Sequence, residues 1–257
     1  MKQEWIDAVL DQLVPKLLAD QRFHDDGHLV NRFHTEVKTW KATDRIRPVI
    51  EIGNELAAAD CLLGLLPEND RLHYEPAIVG TPKRIDFLQV RANGERHWAE
   101  VKTVAPTWVD DEDGWQRFVR IAQSFPENAK LVVAREWAGA AIAGQFIKAR
   151  WSFIARTAEV EARAALIPEA QKGPVSLMLC STGSAWYPDQ LEDFADFYRT
   201  GRHRADDWMS NATNRYMQEE GITFARSLAG FHYLARKHES VFADDLRLHV
   251  AGPPAGS

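Results

Sequence analysis

Asn93-Gly94 stands between two runs of strand-like residues, 84–90 and 96–104, and this hairpin signal constrains the fold more tightly than anything else in the chain. Side chains alternate between the faces of a strand, so the length of the turn decides which residues meet across the pair. A two-residue Asn93-Gly94 loop pairs Ala92 with Glu95 and sets Asp86 opposite Val101. A three-residue loop, Ala92-Asn93-Gly94 with a left-handed Gly94 and a bulge, pairs Arg91 with Glu95 and sets Asp86 opposite Glu100. The second register also puts Ile85 and Phe87 on one face with Ala99 and Val101, the apolar pairing a core requires. It is the predicted one.

Around the hairpin the chain alternates strand and helix. Residues 3–19 carry Ile6, Leu10, Leu13 and Leu17 at helical spacing, with Pro15 expected to kink or break the helix. Residues 22–44 are polar and poorly periodic. Their His24, His28 and His34 have no Cys or carboxylate pattern to make a metal site, so they read as solvated surface. Residues 48–66 form a strong helix, with Pro48 in its first turn, a stripe of Ile52, Leu56, Ala59, Leu63 and Leu66, and Pro67 ending it. A strand is expected over 74–79 before the two hairpin strands. Helices are expected over 114–125, 139–166, 189–199 and 205–219, and strands over 130–135 and 175–180. Residues 222–250 fit either type. The predicted class is α/β, a mixed central sheet flanked by helices, since the hairpin makes part of the sheet antiparallel. The expected organisation is an N-terminal helical extension over 1–44, a core over 45–182, a C-terminal helical or mixed region over 183–250 and a disordered tail over 251–257.

Bulk properties narrow the function classes. No stretch reaches the roughly 20 apolar residues of a membrane helix, and Met1-Lys2-Gln3-Glu4 does not open a secretory signal. Two cysteines, Cys61 and Cys180, cannot form a four-cysteine zinc site or a disulfide framework, so a reduced, cytoplasmic protein with no membrane partner is expected. Cys61 reads as a small buried helix residue. A net charge of −6 argues against non-specific coating of nucleic acid. It leaves room for an acidic catalytic site beside a local basic track.

The residues that carry chemistry are Asp86, Glu100 and Lys102. Glu100 and Lys102 share one face of their strand, and the three-residue turn brings Asp86 to them. Carboxylates gathered this way repel unless a cation lies between them, and two hard oxygen donors suit Mg²⁺, with Mn²⁺ as substitute. Such an ion lowers the pKa of a bound water and neutralises a phosphate, while Lys102 orients the water or stabilises developing charge. The bland alternative is a surface ion pair between Glu100 and Lys102, which needs no nearby Asp.

At these residues the chain resembles the PD-(D/E)XK nuclease superfamily, with its restriction-endonuclease-like fold. The match is Asp86, then Glu100-Val101-Lys102 across a hairpin, preceded by an acidic helix. The family core of helix, three strands, helix and strand matches the order read over 48–135. Ile85 stands where the name-giving proline would be. The resemblance implies Asp86 and Glu100 as metal ligands, a main-chain ligand at Val101, and Lys102 assisting the attacking water. It also implies a helix carboxylate completing the site, Glu55, or Glu51 one turn earlier. It further implies a Mg²⁺-dependent phosphodiesterase acting on nucleic acid, DNA before RNA, with a homodimer as one assembly. Two alternatives stay open, a nuclease fold without activity that binds or scaffolds, and an RNA-directed nuclease.

Weaker candidates surround this centre. Lys83 and Arg84 flank it as backbone contacts to nucleic acid. Asp110 to Asp113 read as a helix-capping loop and Gln116 as a helix-surface amide. Arg199, Arg202, His203 and Arg204 around Gly201 read as a solvated turn. No glycine-rich phosphate loop and no nucleophile elbow is present.

Overall fold

A computed structural model describes residues 2–103, 142–180, 188–200, 227–235 and 246–251, together with Arg215, Gln218, Glu219 and Gly221. Seven strands form one sheet in sequence order. They are β1 (Phe23–His24), β2 (Arg71–Tyr74), β3 (Phe87–Val90), β4 (Arg96–Thr103), β5 (Val175–Cys180), β6 (Gly230–Ala235) and β7 (Leu246–Ala251). β3 runs antiparallel to both β2 and β4 and β7 runs antiparallel to β6, whereas the pairs β1–β2, β4–β5 and β5–β6 are parallel. The mixed α/β class expected from the alternation of elements is the one observed.

Helices cover both faces. On one lie α1 (Lys2–Ala8), α2 (Val14–Ala19), α3 (Leu29–Thr43) and α4 (Arg47–Leu65), whose apolar residues share a core with Leu72, Tyr74, Phe87, Ala99, Val101, Met178 and Cys180. On the other lie α5 (Ile142–Ala164) and α6 (Pro188–Thr200), packed with Ile85, Leu88, Trp98, Leu177, Leu179 and Phe231. β5 is buried along its whole length, Leu177 and Leu179 facing one core and Met178 and Cys180 the other. A parallel strand covered on both sides reads as a continuous apolar run for this reason. Cys61 and Cys180 are both buried and neither is in a disulfide. No helix among the described residues is long and apolar enough to cross a membrane.

Several expectations need correction. The helix expected over 3–19 is interrupted but not ended at Pro15: a π turn over Val9–Leu13 separates α1 from α2, and Pro15 falls in the first turn of α2, where its missing amide hydrogen costs least. Residues 22–44, polar and poorly periodic in sequence, contain β1 and the fifteen-residue α3, which buries Leu29, Val30, Phe33 and Val37. α3 begins at a left-handed His28 without a side-chain cap there. Asp25 serves instead, its carboxylate accepting the Leu29 and Val30 amides at 2.5 and 3.2 Å. The strand expected over 74–79 is displaced to Arg71–Tyr74, because Glu75 turns left-handed (φ 45°) and stops the ladder. The ambiguous 222–250 supplies β6 and β7, and Ala251, assigned to the tail, closes β7. The expectations over 114–125, 130–135, 202–204 and 252–257, with most of that over 205–219, lie outside the described residues.

The hairpin forms in the three-residue register. The Arg91 amide donates to the Glu95 carbonyl at 2.9 Å, Phe87 pairs with Ala99 and Val90 with Arg96, and Gly94 is left-handed at φ 85°. Two side chains hold the turn. Buried Asp70 accepts the Ala92 amide at 3.0 Å, and Asn93 Oδ1 accepts the Glu95 amide at 3.0 Å.

Candidate active site on the β3–β4 hairpin

One residue beyond the last ladder pair, Phe87–Ala99, Asp86 lies opposite Glu100, and there side chains replace carbonyls as partners. The Asp86 amide donates to Glu100 Oε2 at 3.3 Å, and the Val101 amide donates to Asp86 Oδ2 at 2.6 Å. Each acid closes the backbone gap left by the other. The apolar pairing expected around them holds only in part. Phe87 joins the α1–α4 core with Ala99 and Val101, but Ile85 packs into the other core beside Trp98. Regular alternation stops where β3 begins at Phe87, which frees the backbone at 85 and 86 to rotate.

Glu100 is completely buried, yet its Oε1 accepts from two cations. Lys102 Nζ approaches from the same strand at 2.7 Å, and Arg163 reaches it from α5. A third residue ties these together. Glu159, one turn before Arg163, accepts from Lys102 Nζ at 3.1 Å, from Arg163 Nη2 at 2.9 Å and from Arg156 Nη1 at 3.3 Å. Burial pushes the Glu159 carboxyl up, but Lys102, Arg163 and Arg156 together hold it below its ordinary value.

Asp86 behaves oppositely. Burial, with the negative charges of Glu100 and Glu55, drives its carboxyl well above the usual range, against the pull of the Val101 amide and Lys102. Glu55 extends from α4 on the other side. Burial raises it to about 7, with Glu75 and Glu100 adding to the rise, while the Tyr74 hydroxyl and Arg32 oppose it. The Tyr74 hydroxyl donates to Glu55 Oε2 at 2.5 Å, Arg32 lies 3.9 Å from that oxygen, and Arg32 Nη1 bonds Glu75 Oε1 at 2.8 Å. Burial and the Glu55 charge push the Tyr74 hydroxyl strongly upward. Asn54, next to Glu55 and fully buried, donates to Thr103 Oγ1 at 2.9 Å and so fastens α4 to the end of β4.

Three acids from two elements thus share one electrostatic neighbourhood, Glu55 from α4 and Asp86 and Glu100 from the hairpin. Among the described residues, no three His, Cys, Asp or Glu side chains converge into a closed metal cage. Asp86 and Glu100 are the two carboxylates here that could hold an ion together, and oxygen donors of this kind favour a hard divalent cation.

Other candidates fall elsewhere. Glu51 is exposed on the first turns of α4, whereas Glu55, one turn on, is partly buried and is the α4 carboxylate that faces the hairpin acids. Lys83 and Arg84 are exposed on the loop before β3, where Arg84 donates to the Glu75 carbonyl. His24 is not open surface, since its ring stacks on His73 across the β1–β2 pair at 4.6 Å between centroids. Arg199 pairs with Asp196 on α6. Asp110 to Asp113 and Gln116 lie outside the described residues. The sequence reading passed over Arg32, Tyr74, Glu75, Glu159 and Arg163. The Glu159–Arg163 spacing of four on a helix was a legible sign of a pair on one face, but nothing local said which face meets β4.

No protein-family model matches this chain, and no curated protein matches it. Among solved structures, SfsA of Pyrococcus furiosus in complex with Ca²⁺ is similar at 10% identity with a TM-score of 0.23. The alignment covers 79% of this chain and 63% of that one, so the chain spans less than two thirds of that protein's length.

Proposed function

We propose that this protein is a divalent-metal-dependent nuclease that hydrolyses phosphodiester bonds of nucleic acid, DNA before RNA. The observation that carries this reading is the hairpin register, which sets Asp86 opposite Glu100 and next to the Glu100–Lys102 pair. Asp86, Glu100 and the Val101 carbonyl would hold Mg²⁺, or Mn²⁺ in its place. The ion would supply an activated water and neutralise phosphate charge. The chain's own residues do the rest. Glu100 and Glu159 fix the Lys102 ammonium, so that its remaining donor can orient a water or meet charge developing on phosphate oxygen. Glu55, poised near neutrality, can hold or release a proton beside the two ligands. Exposed Lys83 and Arg84 extend the site toward a nucleic-acid backbone.

The test is cleavage of plasmid and of matched DNA and RNA oligonucleotides with Mg²⁺ or Mn²⁺ and with EDTA. Asp86→Asn, Glu100→Gln and Lys102→Met should each reduce metal-stimulated cleavage by on the order of a hundredfold or more, with far-ultraviolet circular dichroism unchanged. Three variants that cut like the parent would refute the assignment. A second reading, a nuclease-like fold that binds without cutting, draws on the double occupation of Glu100 Oε1 by Lys102 and Arg163. It requires that Mn²⁺ titration reveal no site dependent on Asp86.

A further inference from the structure

We propose that Arg163 is a built-in competitor for the divalent cation at Glu100, and that it gives up that carboxylate when the ion binds and turns its guanidinium toward the substrate phosphate. This deepens the nuclease reading and rests on it. Glu100 is fully buried, so its charge must be matched by a cation in contact. Two now serve, both on Oε1. Lys102 cannot leave far, because it stands two residues along the same strand with its side chain 14% exposed. Arg163 differs in each respect. It belongs to the last turn of α5, a separate element, and its side chain is 31% exposed. It also has a second anchor, Glu159 at 2.9 Å, so leaving Glu100 does not strand its charge.

The electrostatics run the same way. Asp86 lies beside Glu100 with no cation bonded to its carboxylate among the described residues, and the other negative neighbour, Glu55, comes from the opposite side. A doubly charged ion shared by Asp86 and Glu100 would supply the charge that Arg163 now lends. It would also repel a guanidinium on the same oxygen. Held only by Glu159, Arg163 keeps free N–H groups in the fork geometry that matches phosphate oxygens. One residue thus holds Glu100 before the ion binds and engages the substrate afterwards.

The experiment is equilibrium Mn²⁺ binding without nucleic acid, by calorimetry or by electron paramagnetic resonance of the free ion, on the full chain and on R163Q, R163M and D86N. Removing the competing charge should tighten Mn²⁺ binding by on the order of tenfold in both neutral variants. Unchanged or weaker binding in R163Q and R163M, with the D86N-sensitive site intact in the parent, overturns the Arg163 assignment alone. A parent without any Asp86-dependent site overturns the nuclease reading as well. Nitrogen-15 NMR of the arginine side chains in the unmutated protein covers the case in which neither variant folds. The Arg163 guanidinium signal should shift as Mg²⁺ is added and stay put in D86N. A signal unmoved at saturating Mg²⁺ overturns the proposal.

Discussion

Glu55 shows how one carboxylate can couple stability to pH in this protein. Its side chain is 16% exposed, and burial with like charges nearby raises it from an ordinary 4.5 to about 7. Between those values the folded protein keeps a proton that the unfolded chain has released, so the folded state binds more protons and stability falls as pH rises. Asp86, shifted the same way, adds to the fall. Glu159 has the opposite sign, since its lowered carboxyl contributes stability that is lost as pH drops below the ordinary range. In EDTA, denaturant titration should therefore find the parent less stable at pH 8 than at pH 5.5, and Glu55→Gln should recover on the order of 2 kcal/mol at pH 8. A variant less stable than the parent at pH 8 would show that the Tyr74 and Arg32 contacts outweigh the cost of burying the charge.

Two elements depend on single glycines through close approach. A Cβ added at Gly53 of α4 would fall 2.7 Å from the Trp5 ring, which itself packs edge-on against Phe33 at 6.4 Å. Gly53 is therefore what lets α4 meet α1 and α3. Gly173, just before β5, is tighter still. Its added Cβ would land on the Arg96 carbonyl, with the carbonyl carbon at 2.8 Å, where β4 and β5 begin their pairing through the Trp98 amide and the Pro174 carbonyl. Backbone cannot swing aside as a side chain does, so Gly173→Ala should lose about 2 kcal/mol or more and lower Tm by several degrees. Asp70→Ala, which strands the Ala92 amide at the hairpin turn, should lose about 1–2 kcal/mol. If both variants melt like the parent, these contacts do not hold the strands in register.

At the scale of the molecule, two apolar cores meet across the sheet, and the site lies where β3 and β4 run between them. The α5–α6 side is locked by Glu161, which accepts from the Tyr198 hydroxyl at 2.6 Å and the Ser227 amide at 2.8 Å, while that hydroxyl accepts the Leu228 amide at 2.8 Å. The other side needs the first 43 residues, since Ile6, Val9, Leu13, Leu29 and Phe33 are fully buried against α4 and the sheet. Deleting residues 1–43 should leave the apolar face of α4 open and yield insoluble or molten protein, detectable as dye binding and loss of the cooperative transition. A soluble truncation with a sharp melt would show that the core over 45–182 stands by itself.

The α/β class, the long apolar stripe of α4, the buried β5 run and the hairpin register were all legible in the chain. Each follows from a local period or a local turn, Gly94 being able to take a left-handed φ where other residues are strained. The meeting of Asp86, Glu100 and Lys102 followed from that register, because strand geometry carries a turn's length directly into side-chain partners. Tertiary structure alone decided what surrounds them. Glu159 and Arg163 reach β4 only because the parallel β4–β5 pairing lays α5 across that face of the sheet, and Arg32 and Tyr74 reach Glu55 only because α3 packs against α4 and β2. Those contacts span 63, 23 and 19 positions along the chain. No local period encodes which of several amphipathic faces will meet at such a distance, because that choice is made by the packing of whole elements.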